Sequence, residues 1–268
     1  MTEPLQEHYG INLIVFGGSK VGKSTLGDTT PAPRLVLDAE AGSRFTPSRK
    51  VRWDPASQKP PVPDGTWDTA LVAVRSYRDV LRAYEWLASG QHPFRSVVLD
   101  SISEIQQRAV DDIAGSNVMQ TQDWGTLLRN LSDLIRKFRD LVSHPTRPLD
   151  AIVVIAMARQ GSDGTWKPFM QGQIATLMPY YVDVCSYLGV VPLEDGTTIR
   201  RLFVGTFPGF ETGERVGGRL GTYVDGPNIS TMLAAIRGEA ALPVTSSTPS
   251  LTVPAVDHVE TLNLNQEG

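Results

Sequence analysis

The segment Ile11–Thr25, INLIVFGGSKVGKST, sets two glycines, a lysine and two hydroxyls directly after an apolar run. Gly17, Gly18, Ser19, Lys20, Val21, Gly22, Lys23 and Ser24 satisfy the pattern G-x-x-x-x-G-K-[ST] in full. Glycines let a backbone curl so that successive N–H groups point inward at phosphate oxygens. In such a loop Lys23 reaches the β- and γ-phosphates, the Ser24 hydroxyl faces Mg²⁺, and Thr25 continues the helix whose N-terminus adds positive potential. The chemistry expected is binding of ATP with Mg²⁺.

A second requirement is a carboxylate near the metal. SVVLDSISE supplies one: Val97, Val98 and Leu99 make a buried strand and Asp100 stands at its tip. RLVLDAEAG ends another apolar strand in Asp38 and Glu40. An acid just beyond that tip can orient and deprotonate the water that attacks the γ-phosphate, so the catalytic set read from sequence is Glu40, Lys23 and Asp100, with Ser24 and Asp100 on the metal.

The phosphate-binding loop followed by Asp38-Ala39-Glu40 and then Asp100-Ser101 resembles the RecA-type recombination ATPases, and more closely the small phage ATPases of that class, which act as minimal recombinases or single-strand annealing proteins. The resemblance spans about Ile11 to Gly238. It implies ATP hydrolysis stimulated by single-stranded DNA, a homo-oligomeric ring or filament, and a single-strand-binding protein or nuclease as a further partner. It also implies a host-cytoplasmic location if the chain is phage-encoded. By the same resemblance Gln160 senses the γ-phosphate, although Arg159-Gln160 stands where the bacterial recombinase has Asn-Gln. The segment Ala158–Gln173 then takes the place of a mobile DNA-binding loop, with Arg159, Trp166, Lys167 and Phe169 suited to phosphates and bases. Arg215 and Arg219, in GERVGGR, are candidates for an arginine acting in a neighbouring subunit's ATP site. Only ten residues precede the first strand, so the reading is of a core without a long N-terminal polymerisation segment. Two other classes fit the loop: an ATP-controlled DNA-binding scaffold with negligible turnover, and a small-molecule kinase. A GTPase is disfavoured because no N-K-x-D motif occurs.

These residues need a scaffold, and the alternation of apolar strands with helical periodicity predicts an α/β fold with a mostly parallel sheet flanked by helices. Strands are expected at Ile11–Phe16, Arg34–Asp38, Ala70–Val74, Ser96–Asp100 and Ala151–Met157. Later strands are expected near Val184–Val191, Arg200–Thr206 and Gly221–Val224. Helical stripes run through Tyr77, Val80, Leu81, Tyr84, Leu87 and Ala88, and through Trp124, Leu127, Leu131, Leu134, Phe138 and Leu141. Arg44–Asp68, with five prolines and two tryptophans, reads as a long irregular loop.

Of the chain's 29 acidic residues, four lie from Glu239 onward, where there is no Lys or Arg. Residues 1–238 therefore form a charge-balanced ATPase domain, and 239–268 an acidic tail whose Ser, Thr and Pro content predicts disorder. A nucleic-acid surface must then be a local patch rather than a global field. One cysteine, Cys185, rules out an internal disulfide and fits a reducing, cytoplasmic compartment. The longest apolar run, Ala151–Ala158, is too short to span a bilayer.

Overall fold

The computed structural model describes residues 10–193 and 195–242. In chain order the elements are β1 (Ile11–Gly17), α1 (Lys23–Gly27), β2 (Arg34–Asp38), β3 (Lys50–Arg52), β4 (Thr69–Ala73), α2 (Tyr77–Ala88), β5 (Ser96–Asp100), α3 (Ile102–Ala114) and α4 (Thr121–Asp140). They continue with β6 (Ala151–Gln160), β7 (Trp166–Phe169), α5 (Ile174–Tyr181), β8 (Val184–Pro192), β9 (Thr198–Phe203), β10 (Gly213–Glu214), β11 (Tyr223–Asp225) and α6 (Ile229–Arg237). One sheet runs β11-β9-β8-β1-β6-β5-β2-β4-β3, with β7 on β6 and β10 on β8. From β8 to β3 every pairing on that path is parallel, whereas β7, β9, β10 and β11 pair antiparallel. This is the expected α/β architecture.

Strand periodicity builds the two cores. Ile14 and Phe16 of β1 face a layer holding Val80, Leu87, Ile105, Leu131, Leu134, Phe138 and Met178. The alternate residues Leu13 and Val15 face the other side, where Leu26, Met232, Leu233 and Ile236 pack. Central strands are thus apolar on both faces and read as unbroken hydrophobic runs, as parallel sheets covered by helices must. Removing a ring such as that of Phe138, 1% exposed, costs about 3–5 kcal/mol. The α2 start is fixed by a capping box between Ser76 and Asp79.

Three expectations are corrected. Arg44–Asp68 is not wholly irregular: a 3₁₀ turn at Ser43–Phe45 leads into β3, the outer edge of the sheet, and Trp53 and Trp67 are buried around Phe94. The prolines cluster after β3, which leaves that short strand free to pair with β4. Trp124 is not core but stands exposed in the first turn of α4. Ala158–Gln173 begins as a β-hairpin: Met157, Ala158, Arg159 and Gln160 pair with Phe169, Pro168, Lys167 and Trp166. Most of the acidic tail, residues 243–268, lies outside the described residues.

β9 carries two successive arginines. Arg201 turns inward to a buried ion pair with Asp225 of β11, Nε–Oδ1 2.6 Å, under the Tyr223 ring. Arg200 turns the other way, toward the phosphate-binding loop.

Candidate nucleotide site

The loop leaves β1 at Gly17 and enters α1 at Lys23, so its backbone turns between a buried strand and a helix start. Gly22 has φ +108°, and a Cβ there would lie 2.7 Å from Nε of Arg200. A Cβ on Gly17 would lie 2.5 Å from the Leu188 carbonyl oxygen of β8. Both positions admit glycine alone, one for its backbone and its crowding, the other for the closeness of the neighbouring strand. Lys23 Nζ donates to the carbonyls of Gly17 (2.9 Å) and Gly18 (2.7 Å), closing the ring of the loop. Partial burial lowers the Lys23 pKa, while the Glu40 and Asp100 carboxylates oppose that shift, so the three residues share one electrostatic environment.

Asp100 is 2% exposed at the tip of β5, one strand removed from β1 across β6. Burial pushes its carboxyl up to about 6; the Ser24 and Ser43 hydroxyls pull it back, and Glu40 and Asp38 push it further. Ser43 Oγ donates to Asp100 Oδ2 at 3.3 Å. Asp38 and Glu40, adjacent in the sequence reading, part company here. Asp38 is buried, its carboxyl raised by burial and partly stabilised by the backbone N–H groups of Glu40 to Ser43, and its Oδ1 has no hydrogen-bond partner. Glu40 is exposed, and the Ser101 hydroxyl donates to its Oε1.

Among the described residues no group of three or more His, Cys, Asp or Glu is placed to hold a metal ion. A hard cation such as Mg²⁺ needs few protein ligands where phosphates and water complete its shell. Ser24 and Asp100, in hydrogen-bonding reach of one another with the orphaned Asp38 oxygen near Asp100, are a fitting oxygen donor set. A bound Mg²⁺ would supply charge neutralisation for the phosphates there.

The other sequence candidates lie elsewhere. Met157 is level with Gly17 in the β1–β6 register, so Gln160 sits about 10 Å further along the strand direction. Its amide donates to the Gly164 carbonyl of the hairpin turn at 2.9 Å. Trp166 is half-buried against the core, Lys167 pairs with Asp163 at 3.1 Å, and the Arg159 guanidinium lies 5.8 Å from the Phe169 ring centre. Arg215 binds Asp183, which also accepts from the Asn12 backbone near the start of β1. Arg219 donates to the Ile236 carbonyl near the end of α6, next to Arg237, which pairs with Asp150 just before β6. Both arginines therefore occupy the edge of the sheet opposite the phosphate-binding loop of their own chain.

Sequence reasoning missed Arg200. Its Nε donates to the Val21 carbonyl at 2.9 Å from 179 residues away. It helps enclose a pocket of about 400 Å³ lined also by Gly22, Thr25, Thr29, Ile199 and Pro227. The pocket adjoins the loop on the α1 side, since Gly22 and Thr25 are in its wall. The only signal for it was the twin Arg200-Arg201 in a strand whose other residues are apolar or hydroxylic.

The profile of the AAA_24 family, described as an AAA domain, matches residues 10–217, from β1 through β10. The chain belongs to this family. No curated protein sequence matches it. The chain is thus a nucleotide-binding domain of the AAA, P-loop ATPase type, and the matched span holds the loop, both acidic strand ends and Arg200. No helix among the described residues is long and apolar enough to cross a membrane.

Proposed function

We propose that this AAA domain is a Mg²⁺-dependent ATPase whose hydrolysis is coupled to single-stranded DNA, in recombination or strand annealing of the phage type. The observation that carries the catalytic part is the convergence of Lys23, Ser24, Glu40 and Asp100, from three separate strand ends, on one phosphate-binding loop. Lys23 and the loop amides hold the phosphates, Ser24 and Asp100 hold Mg²⁺, and Glu40 orients the attacking water. Glu40 suits that task because it is exposed and fixed by Ser101, whereas the buried Asp38 supports the turn that carries it.

The DNA part draws support from the order of the DAE and DS segments after the loop and from the cations beside the site. Assembly is read as head-to-tail, since Arg215 and Arg219 lie at the edge opposite the nucleotide and can meet a nucleotide only in another copy. Steady-state hydrolysis with no DNA, single-stranded DNA and duplex DNA tests the whole reading. Hydrolysis stimulated by single strands supports it; turnover indifferent to DNA removes the DNA part while leaving the ATPase.

A further inference from the structure

Beside the Asp38–Ala41 turn lies a second cleft, of about 800 Å³, whose lining includes Arg44, Arg52, Arg75, Arg82 and Arg108. The arginines come from five places: the 3₁₀ turn after β2, β3, the connection between β4 and α2, α2 and α3. The carboxylates in its wall are Asp38, Asp54 and Asp79. Asp54 is bonded to Ala56 N and Ser57 Oγ of its own turn, and Asp79 closes the α2 capping box by accepting from Ser76 N. Arg82 approaches Asp79 only at 3.9 Å, and Arg108 pairs with Glu104. Arg44, Arg52 and Arg75 make no ion pair with any carboxylate among the described residues, and all three are exposed. Arg75 and Arg82 both act on Asp54, yet five guanidinium groups still face three carboxylates around one concavity of a charge-balanced chain, an excess that fits a polyanion.

We infer that this cleft binds the phosphodiester backbone of a single DNA strand and that its occupancy reaches the ATP site through the Asp38–Ala41 turn. The inference rests on the proposal that single-stranded DNA is the partner, and it assigns the strand a location. Guanidinium groups spread around a lip suit successive phosphates better than one compact ligand. Phe45, 79% exposed with the Arg44 guanidinium 4.6 Å from its ring centre, offers an aromatic face at the same lip. Arg108 lies on α3, and the same helix binds the β6–β7 hairpin through Ser103 Oγ to the Phe169 carbonyl, 2.8 Å. Asp38, Ala39 and Ala41 line the cleft while Glu40, between them, faces Lys23. A strand in the cleft and a nucleotide on the loop therefore meet the same turn.

The test compares the parent chain, Arg52→Ala/Arg75→Ala, and a control of equal charge change outside the cleft lining, Arg139→Ala/Arg147→Ala. The probe is a fluorescein-labelled oligothymidylate, titrated over a range of salt, with thermal melting to show that each variant is folded. The cleft variant should bind about tenfold more weakly, with a log K against log salt slope shallower by about 1.4 for two lost single-strand contacts, and should lose stimulation of hydrolysis by the oligonucleotide. The control should match the parent. If the parent binds and the cleft variant matches it in affinity and slope, the inference falls while the DNA reading stands. If the parent does not bind the probe, both fall. If a nucleoside monophosphate displaces the probe at equal phosphate concentration, the cleft is a small-acceptor site and the inference is overturned.

Discussion

The Ser101 hydroxyl donates a hydrogen bond to Oε1 of Glu40, joining the residue after one acidic strand end to the exposed acid of the other. Tips of β2 and β5, which are neighbours in the sheet, are thereby clamped above the phosphate-binding loop. Glu40→Gln should retain ATP binding and hydrolyse roughly 10²–10⁴-fold more slowly, the range for a lost general base. Ser101→Ala should slow turnover by about tenfold at unchanged ATP affinity, because it loosens the base without removing it. Single-turnover hydrolysis beside equilibrium titration with a fluorescent ATP analogue separates the two. Full activity in Glu40→Gln would make the residue an ordinary turn acid.

Lys23 is already aimed inward by the carbonyls of Gly17 and Gly18. On the proposed role, in which its ammonium faces the transferring phosphate, Lys23→Ala should lower kcat by about 10²–10³-fold or more, with weakened nucleotide binding. Retained hydrolysis in that variant would dismantle the ATPase reading.

Asp100 gives a pH prediction whose sign follows from burial. Its carboxyl rises from 3.8 to about 6 on folding, so the chain gains most from it below about pH 3.8 and loses that gain as pH passes through 6. Above pH 7 the ionised group costs about 3 kcal/mol, as an order of magnitude. Asp100→Asn should melt higher than the parent at pH 7.5, with the advantage gone by pH 4. The same substitution should weaken Mg²⁺-dependent stabilisation by ATP. Equal melting at both pH values would show that Asp100 is better solvated than its burial indicates.

His92 works in the opposite direction. It is buried, stacked 5.8 Å from the Phe94 ring centre, and neither ring nitrogen makes a well-formed hydrogen bond. Burial first, then Arg147 and His144, push its pKa down from 6.5 to about 4. Stability from the neutral ring is complete above pH 6.5 and is lost as pH falls toward 4. His92→Phe should flatten the melting temperature across that interval. An unchanged slope would assign acid sensitivity to other groups.

The strands that carry chemistry were legible because each is buried on both faces. β2 and β5 match the sequence reading to the residue, and Asp100 and Glu40 follow from acids placed where an apolar run stops. β3 was not legible: three residues at a sheet edge, half-exposed and flanked by prolines, leave no periodicity to detect. Trp124 fell on the helical stripe, yet α4 packs only from Leu127 onward, so its first turn projects past the core. The hairpin after β6 looked mobile from its glycines, but Trp166 half-buries its ring and holds the strand in register. Arg200 depends on a contact across most of the chain, which local pattern does not encode.

The buried pair between Arg201 and Asp225 has a consequence for how the chain avoids a near-miss structure. A one-residue slip of β9 would exchange the faces of its side chains. In the slip that brings Arg201 to the place of Arg200, the strand would still present a guanidinium to the loop, so the loop alone cannot tell that arrangement from the native one. Asp225, bonded through both oxygens to Arg201, supplies the discrimination: in the slipped form its carboxylate would lose that partner inside the protein. The choice of register at Arg200 is thus lodged on the neighbouring strand, in the residue just before Gly226 and Pro227 of the pocket wall.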